Sequence, residues 1–169
     1  MPDLIITIER KESTQSIITL LSIQGKIMIE KYFLNDDKLP NLPTPHDCIV
    51  EKVSFDEEFL VFTFEKDISS YDSIKHINPN FYSLIIRYHL IDPLFDTYKW
   101  KLHTSLFGRE GYVLIDNKKL TDIAKSHKLE YLYQNVGYQS IIIKLFQDGH
   151  IMIDVQVDYI EYEWIEKSI

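Results

Sequence analysis

The chain has 169 residues, enough for one domain that buries about two-thirds of its unfolded surface. Its 45% hydrophobic content excludes a disordered chain. The formal net charge of −8 argues against nucleic acid as a ligand, because phosphate binding requires local positive charge. The single cysteine, Cys48, excludes an intramolecular disulfide and a cysteine-based zinc site, and we expect it to pack as a small apolar residue.

The N-terminal residues contain no basic stretch followed by a long apolar segment, and no run reaches the apolar length of a transmembrane helix. Frequent aromatic residues, 11 Tyr and 9 Phe, favour strands over helices. These features predict a cytoplasmic protein, a single globular domain over residues 1–169, without membrane contact.

The first half of the chain is predicted to form strands separated by turns. A β-branched run over 4–10 indicates the first strand. Residues 14–34 are compatible with a helix face or with a hairpin, and we favour strand-turn-strand. The proline-rich segment 35–45 predicts a loop, and 48–55 with 59–65 predicts a second hairpin, followed by a polar connection over 67–80.

Two regular segments, 81–91 and 98–107, predict a half-buried antiparallel pair with an outward basic stripe. The stripe comprises Arg87, His89, Lys99, Lys101 and His103. His89 and His103 would meet across the sheet and hold an anion, although a solvated sheet face is the more common explanation of such a pattern. Beyond them, Asp116 or Asn117 is predicted to cap one supporting helix near 118–127.

The most regular segment is the hairpin over 139–164, which turns at Asp148-Gly149. Its second arm alternates apolar and polar residues, and the alternation changes phase at Tyr159-Ile160. A phase change of this type indicates a β-bulge or a strand that passes between packing layers. Carboxylates interleaved with aromatic residues at this end suit a basic protein partner. The predicted partner-binding residues are Asp154, Asp158, Tyr159, Glu161, Tyr162, Glu163 and Trp164.

Signatures of common enzymes are missing from the sequence, which has no phosphate-binding glycine loop, nucleophile elbow or His-Glu-x-x-His zinc helix. His46-Asp47 is the sharpest polar pair. Adjacent strand residues point to opposite faces, so joint acid–base chemistry or metal binding would require a bend at Pro45, and a turn-capping Asp47 is favoured. We therefore predict no catalytic, cofactor-binding or metal-binding residues.

The segment 45–55, PHDCIVEKVSF, followed by 59–64, FLVFTF, resembles a motif of several small bacterial immunity-protein families of polymorphic toxin systems. The shared features are a His-Asp-x-x-Ile opening and a hairpin with a Leu-x-Phe second arm. In this chain Pro45 precedes His-Asp, where the family pattern more often has an apolar residue such as Leu. The resemblance implies an acidic, cytoplasmic, non-enzymatic α+β or mainly β protein that binds and blocks a cognate toxin domain.

The expected fold is mainly β (α+β), an antiparallel sheet built from hairpins, arranged as a sandwich or half-barrel with one supporting helix. The expected function is neutralisation of a bacterial toxin by direct binding, without a cofactor, and a basic nuclease is the kind of toxin that the acidic residues would suit. Two alternatives remain: a β-barrel or sandwich that encloses a small apolar molecule, and an enzyme that uses His46 or the His89/His103 stripe with a metal or an anion.

Overall fold

The computed structural model describes residues 5–12, 15–22, 25–92, 97–104 and 110–167, and antiparallel strands dominate this part of the chain. Two helices are present there, α1 (Asp72–Lys75) and α2 (Asn117–Ala124), with a 3₁₀ turn over Ile68–Ser70. The strands are β1 (Ile5–Glu12), β2 (Gln15–Ser22), β3 (Gly25–Phe33), β4 (Ile49–Phe55), β5 (Phe59–Phe64), β6 (Phe81–Leu90), β7 (Thr97–Thr104), β8 (Glu110–Leu114), β9 (Leu129–Gly137), β10 (Ser140–Phe146) and β11 (His150–Glu166).

The long strand β11 organises the sheet because each of its two halves has its own pair of neighbours. Residues 150–156 pair with β10 on one edge, and residues 151–155 pair with β7 on the other. Residues 159–165 pair with β3, and residues 157–166 pair with β6. The strands β11, β6, β5, β4, β9 and β10 thereby close into a ring, joined between β4 and β9 by two residue pairs.

Two smaller sheets extend from this ring. The meander β1–β2–β3 continues the sheet beyond the second half of β11, and the hairpin β7–β8 continues it beyond the first half. Leu34, directly after β3, donates its N–H to the Asp158 carbonyl and accepts at its own carbonyl from the N–H of Gln139, directly before β10. Both extensions therefore join the ring through β11.

A chain of hydrogen bonds crosses the aromatic interior of the ring. The Tyr88 and Tyr131 hydroxyls lie 3.1 Å apart, and Tyr131 donates to Gln134 Oε1 at 2.5 Å. Gln134 Nε2 donates to the Tyr162 hydroxyl at 2.7 Å and to the Pro43 carbonyl at 3.0 Å, and Tyr162 donates to the same carbonyl at 2.9 Å. The three tyrosines are fully buried, and their paired hydroxyls avoid the cost of buried unsatisfied polar groups.

The mainly-β antiparallel fold with one supporting helix is confirmed. Residues 14–34 contain two paired strands, as favoured, although the intervening residues 23–24 lie outside the described part. Asp116 caps α2 by accepting from Lys119 N at 2.7 Å, and Leu120, Ile123 and Ala124 face the core. At the C-terminal turn, Asp148 and Gly149 both have positive φ, 51° and 137°, as the Asp-Gly signal predicts.

The predicted pairing of 81–91 with 98–107 is wrong. Strands β6 and β7 lie one after the other along the same edge of β11, and β7 pairs with β8 instead. His89 and His103 are therefore not cross-strand neighbours, and residues 105–107 and the His103 side chain lie outside the described part. Lys99 is also not on an outer stripe, because it is directly opposite Ile153 and buried. Burial lowers the pKa of its ammonium group.

Candidate partner-binding surface

A β-bulge in β11 creates the surface that carries most of the predicted partner residues. Val157 pairs with Leu90 and Tyr159 with His89, so Asp158 is an extra residue without an opposite partner on β6. Odd-numbered side chains from 151 to 157 are buried before the bulge, and even-numbered ones from 160 to 164 are buried after it. The predicted phase change is confirmed, and Asp158 and Tyr159 are consecutive residues that both remain partly exposed.

The bulge also corrects two of the predicted partner residues, because Tyr162 and Trp164 are fully buried. Tyr162 belongs to the hydrogen-bond chain in the ring. Trp164 stacks on Phe81 with 4.5 Å between ring centroids, and its Nε1 donates to Glu30 Oε2 at 3.0 Å. Their side chains build the interior of the protein, so neither is available to contact a partner.

The other predicted residues separate into two groups. Asp154 lies in the first half of β11, between β10 and β7, away from the bulge. Asp158, Tyr159, Glu161 and Glu163 lie in the second half, between β3 and β6. Only this second group forms one continuous surface.

Four adjacent strands align aromatic rings across this surface. Phe59 on β5 is opposite His89 on β6, His89 is opposite Tyr159 on β11, and Tyr159 is opposite Phe33 on β3. The His89 ring stacks on Tyr159 with centroids 4.3 Å apart and 10° between planes, and Phe59 lies edge-on to both rings. Phe33 completes the set at 6.0 Å from Tyr159. We call these four residues the aromatic row.

Neither Phe33 nor Phe59 was selected from the sequence. Each is a single residue at the end of a strand, and its relation to Tyr159 depends on strand pairing across about 100 residues or more. The available local signal was the outward position of Phe33 in the alternation of β3. That signal does not reveal which strand lies beside it.

A row of charged residues follows the aromatic row on the same face. Arg87, Glu161 and Lys31 are directly opposite one another on β6, β11 and β3. Lys31 Nζ lies 3.6 Å from Glu161, and Arg87 reaches diagonally to Glu163 at 2.7 Å. With His89 Nδ1 at 2.6 Å from Asp158, the acidic face of β11 and the basic side chains of β6 pair with each other. Arg87 and His89 thus face carboxylates, not a free anion site.

The turn between β4 and β5 adds further carboxylates beside the aromatic row. Asp56 Oδ1 accepts from the N–H groups of Glu58 and Phe59 at 2.9 and 2.6 Å, which tightens the turn and leaves Glu57 and Glu58 exposed. Residues 56–59 line a cleft of about 390 Å³. Burial raises the pKa of the Tyr159 phenol, and the carboxylates of Glu161, Asp158 and Glu58 raise it further.

The surface therefore combines an aromatic centre with an excess of negative charge. We define the bulge surface as the aromatic row, the two cations Lys31 and Arg87, and the carboxylates of Asp56, Glu57, Glu58, Asp158, Glu161 and Glu163. Its six carboxylates face two permanent cations. Partly exposed aromatic residues in a surface with excess negative charge suit a basic protein partner.

His46 and Asp47 form a second polar site at a cleft of about 490 Å³, which Ser70, Tyr71, Asp72 and Ser73 also line. Asp47 adopts a left-handed φ of 65°, and this bend brings its carboxylate within 2.9 Å of His46 Nδ1. The adjacent pair therefore meets despite its position in sequence. Both side chains are more than half exposed.

Neither of the described candidate nucleophiles, Ser73 and Cys48, completes this pair. Ser73 Oγ donates to the backbone carbonyl of His46 at 2.7 Å, so its hydroxyl proton points at that carbonyl and not at the His46 imidazole. Cys48 is fully buried, and burial raises the pKa of its thiol to about 12. A thiol with that pKa stays protonated near neutral pH and is a poor nucleophile. Among the described residues that line the cleft, the His–Asp pair therefore lacks the third group that the triad arrangement requires.

No group of three or more His, Cys, Asp and Glu side chains in the described ranges could hold a metal ion. None of the helices found there has the length and apolarity needed to cross a membrane.

Comparison of the chain with protein-family models, with curated proteins and with solved structures found no match.

Proposed function

We propose that this chain is a non-enzymatic binding protein that neutralises a cognate bacterial toxin domain, and that the toxin contacts the bulge surface. The observation that carries the proposal is the aromatic row, which stands beside six carboxylates and only two permanent cations. The resemblance of residues 45–64 to immunity-protein families supports a toxin domain as the partner.

Charge indicates the nature of the partner. Glu57 and Glu58 project from the turn, and no described cation lies within ion-pair distance of either. A basic patch on the toxin would pair with these carboxylates, while the aromatic side chains supply the apolar contact. Such complementarity accelerates encounter and excludes wrong partners. If the toxin is a nuclease, the bound protein would cover the cationic surface that holds phosphate.

The interior of the ring does not favour the small-molecule alternative. Its centre is occupied by aromatic side chains in mutual contact: Phe62 lies 5.5 Å from Tyr88 and 6.2 Å from Tyr131, between ring centroids. The hydroxyl groups of Tyr88 and Tyr131 take part in the internal hydrogen-bond chain. A ligand would have to displace packed side chains to enter.

The test is co-purification of the chain with the product of the neighbouring gene, together with rescue of cells that express that product. We expect a stable complex and rescue for the wild type, and loss of both for Glu57→Lys/Glu58→Lys. The control variant, Glu51→Lys/Glu110→Lys, makes the same charge change at exposed residues outside the bulge surface and should bind and rescue like the wild type. Failure of the wild type to bind and to rescue would refute the proposal.

A further inference from the structure

One lysine already occupies the centre of the bulge surface. Lys31 Nζ lies 3.3 Å from the ring centroid of Tyr159 and 5.4 Å from that of Phe33. It is also 3.6 Å from Glu161 Oε1. Aromatic faces attract cations through the ring quadrupole, and an adjacent carboxylate adds charge attraction. Tyr159, Phe33 and Glu161 therefore form a three-sided cage around a cation.

His89, on the neighbouring strand β6, supports Tyr159, one wall of the cage. His89 stacks on Tyr159 with nearly parallel planes, and its Nδ1 is held by Asp158 at 2.6 Å. It fixes the orientation of the Tyr159 ring, while the Lys31 ammonium lies over that ring as well. The cage is thus built by two strands, β3 and β11, and supported by His89 of β6, and its occupant is the end of a flexible side chain that is 28% exposed.

We propose that Lys31 is an exchangeable occupant of this cage, and that an arginine or lysine of the protein partner takes its place on binding. Charge complementarity identifies the occupant, because the cage already holds an ammonium group and further carboxylates surround it. Lys31 and the partner's basic side chain compete for one position. In the unbound protein, Lys31 would occupy the cage and exclude cations that bind there only weakly, which contributes to partner specificity.

This inference rests on the proposed function for its biological partner, but the cage can be tested without the toxin. The test compares two short peptides, acetyl-Gly-Arg-Gly-amide and acetyl-Gly-citrulline-Gly-amide, at constant ionic strength. Citrulline has nearly the shape of arginine and no charge. Binding is followed by amide chemical shifts of the wild type, Lys31→Met and Lys31→Met/Glu161→Gln.

We expect saturable shifts at residues 31–33 and 159–161 of Lys31→Met with the arginine peptide, and affinity about tenfold higher than for the wild type. The citrulline peptide should not bind. In the double variant Lys31→Met/Glu161→Gln, loss of the carboxylate should abolish binding of the arginine peptide. Lys31→Gln provides a second variant with an empty cage where the methionine variant does not fold.

Equal affinity of wild type and Lys31 variants, equal binding of both peptides, or no saturable binding to the open cage would overturn the inference. If those results occurred while the toxin still co-purified with the chain, only the exchange of Lys31 would be refuted. If the toxin failed to bind while the cage accepted the arginine peptide, only the proposed function would be refuted.

Discussion

The bulge at Asp158 lets one strand bury odd-numbered residues before it and even-numbered residues after it. Deletion of Asp158 makes this alternation continuous, and the residue pairs on either side of the bulge become consecutive pairs of a regular ladder. Deletion of Asp154, inside the regular first half of β11, instead turns two fully buried side chains outward, either Ile151 and Ile153 or Val155 and Val157.

The size of this effect follows from the transfer of those side chains to water. At about 1.5–3 kcal/mol per buried side chain, two of them are worth on the order of 3–6 kcal/mol. The whole free energy of unfolding of a domain is about 5–15 kcal/mol. Deletion of Asp154 is therefore expected to remove most or all of the stability. By contrast, deletion of Asp158 keeps the buried side chains in the core and removes a partly exposed pair with His89, which is worth about 0–1 kcal/mol.

Urea unfolding followed by tryptophan fluorescence and near-ultraviolet circular dichroism distinguishes the two variants. The Asp158 deletion variant should unfold cooperatively and keep the near-ultraviolet signal of ordered aromatic side chains, and the Asp154 deletion variant should lose both. Equal destabilisation by the two deletions, or a larger loss of stability for the Asp158 deletion, would refute the assigned role of the bulge.

Three further predictions concern the interior, the exposed edge and the buried thiol. Gln134→Leu should lower the free energy of unfolding by about 2–4 kcal/mol, and more than Tyr162→Phe does, because it leaves several buried polar groups unpaired. Chemical denaturation measures both losses, and equal losses would contradict the internal hydrogen-bond chain. Leu84→Ala should cost about 2–5 kcal/mol, whereas Leu114→Lys, at a side chain that is 68% exposed, should change stability by less than about 0.5 kcal/mol; thermal melts that rank them in reverse order would exclude this burial pattern. Burial raises the pKa of Cys48 from 9.0 to about 12, so the contribution of the thiol to stability is complete below pH 9 and is lost as pH rises from 9 to 12. Relative to Cys48→Ala, the free energy of unfolding of the wild type should fall by up to about 1.4 kcal/mol per pH unit in this window. Parallel profiles of unfolding free energy against pH would show that the thiol is not buried.

Local sequence signals predicted those parts of the fold that depend on neighbouring residues. The Asp148-Gly149 turn, the hairpin of β4 and β5 and the phase change in β11 each follow from the conformational preferences or alternation of a short segment. The pairing of β7 with β11 does not, because nothing within residues 97–104 specifies a strand about fifty residues away. The error at Lys99 has this origin, since alternation shows which residues share a face but not which face is covered.

The candidate surface was predictable in part for the same reason. The carboxylates of β11 and Tyr159 stand out in one segment of sequence, but the aromatic row and the ion pairs require β3, β5, β6 and β11 to be in register. The sequence assigns Tyr162 and Trp164 to the partner surface because aromatic anchors interleaved with carboxylates suit a basic partner. The bulge assigns them to the interior, where their polar atoms have internal partners.

The most direct test of the central claim is the dissociation constant of the complex with the neighbour-encoded toxin, measured by titration calorimetry for matched tyrosine and phenylalanine variants. Phe59→Ser/Tyr159→Ser removes two members of the aromatic row. The control, Tyr133→Ser/Tyr138→Ser, removes two exposed aromatic side chains elsewhere, one of which also lies under a lysine, Lys144. Our account predicts at least about a hundredfold weaker binding for the first variant and wild-type binding for the control. Unchanged affinity of the first variant, or equal weakening of both, would contradict it.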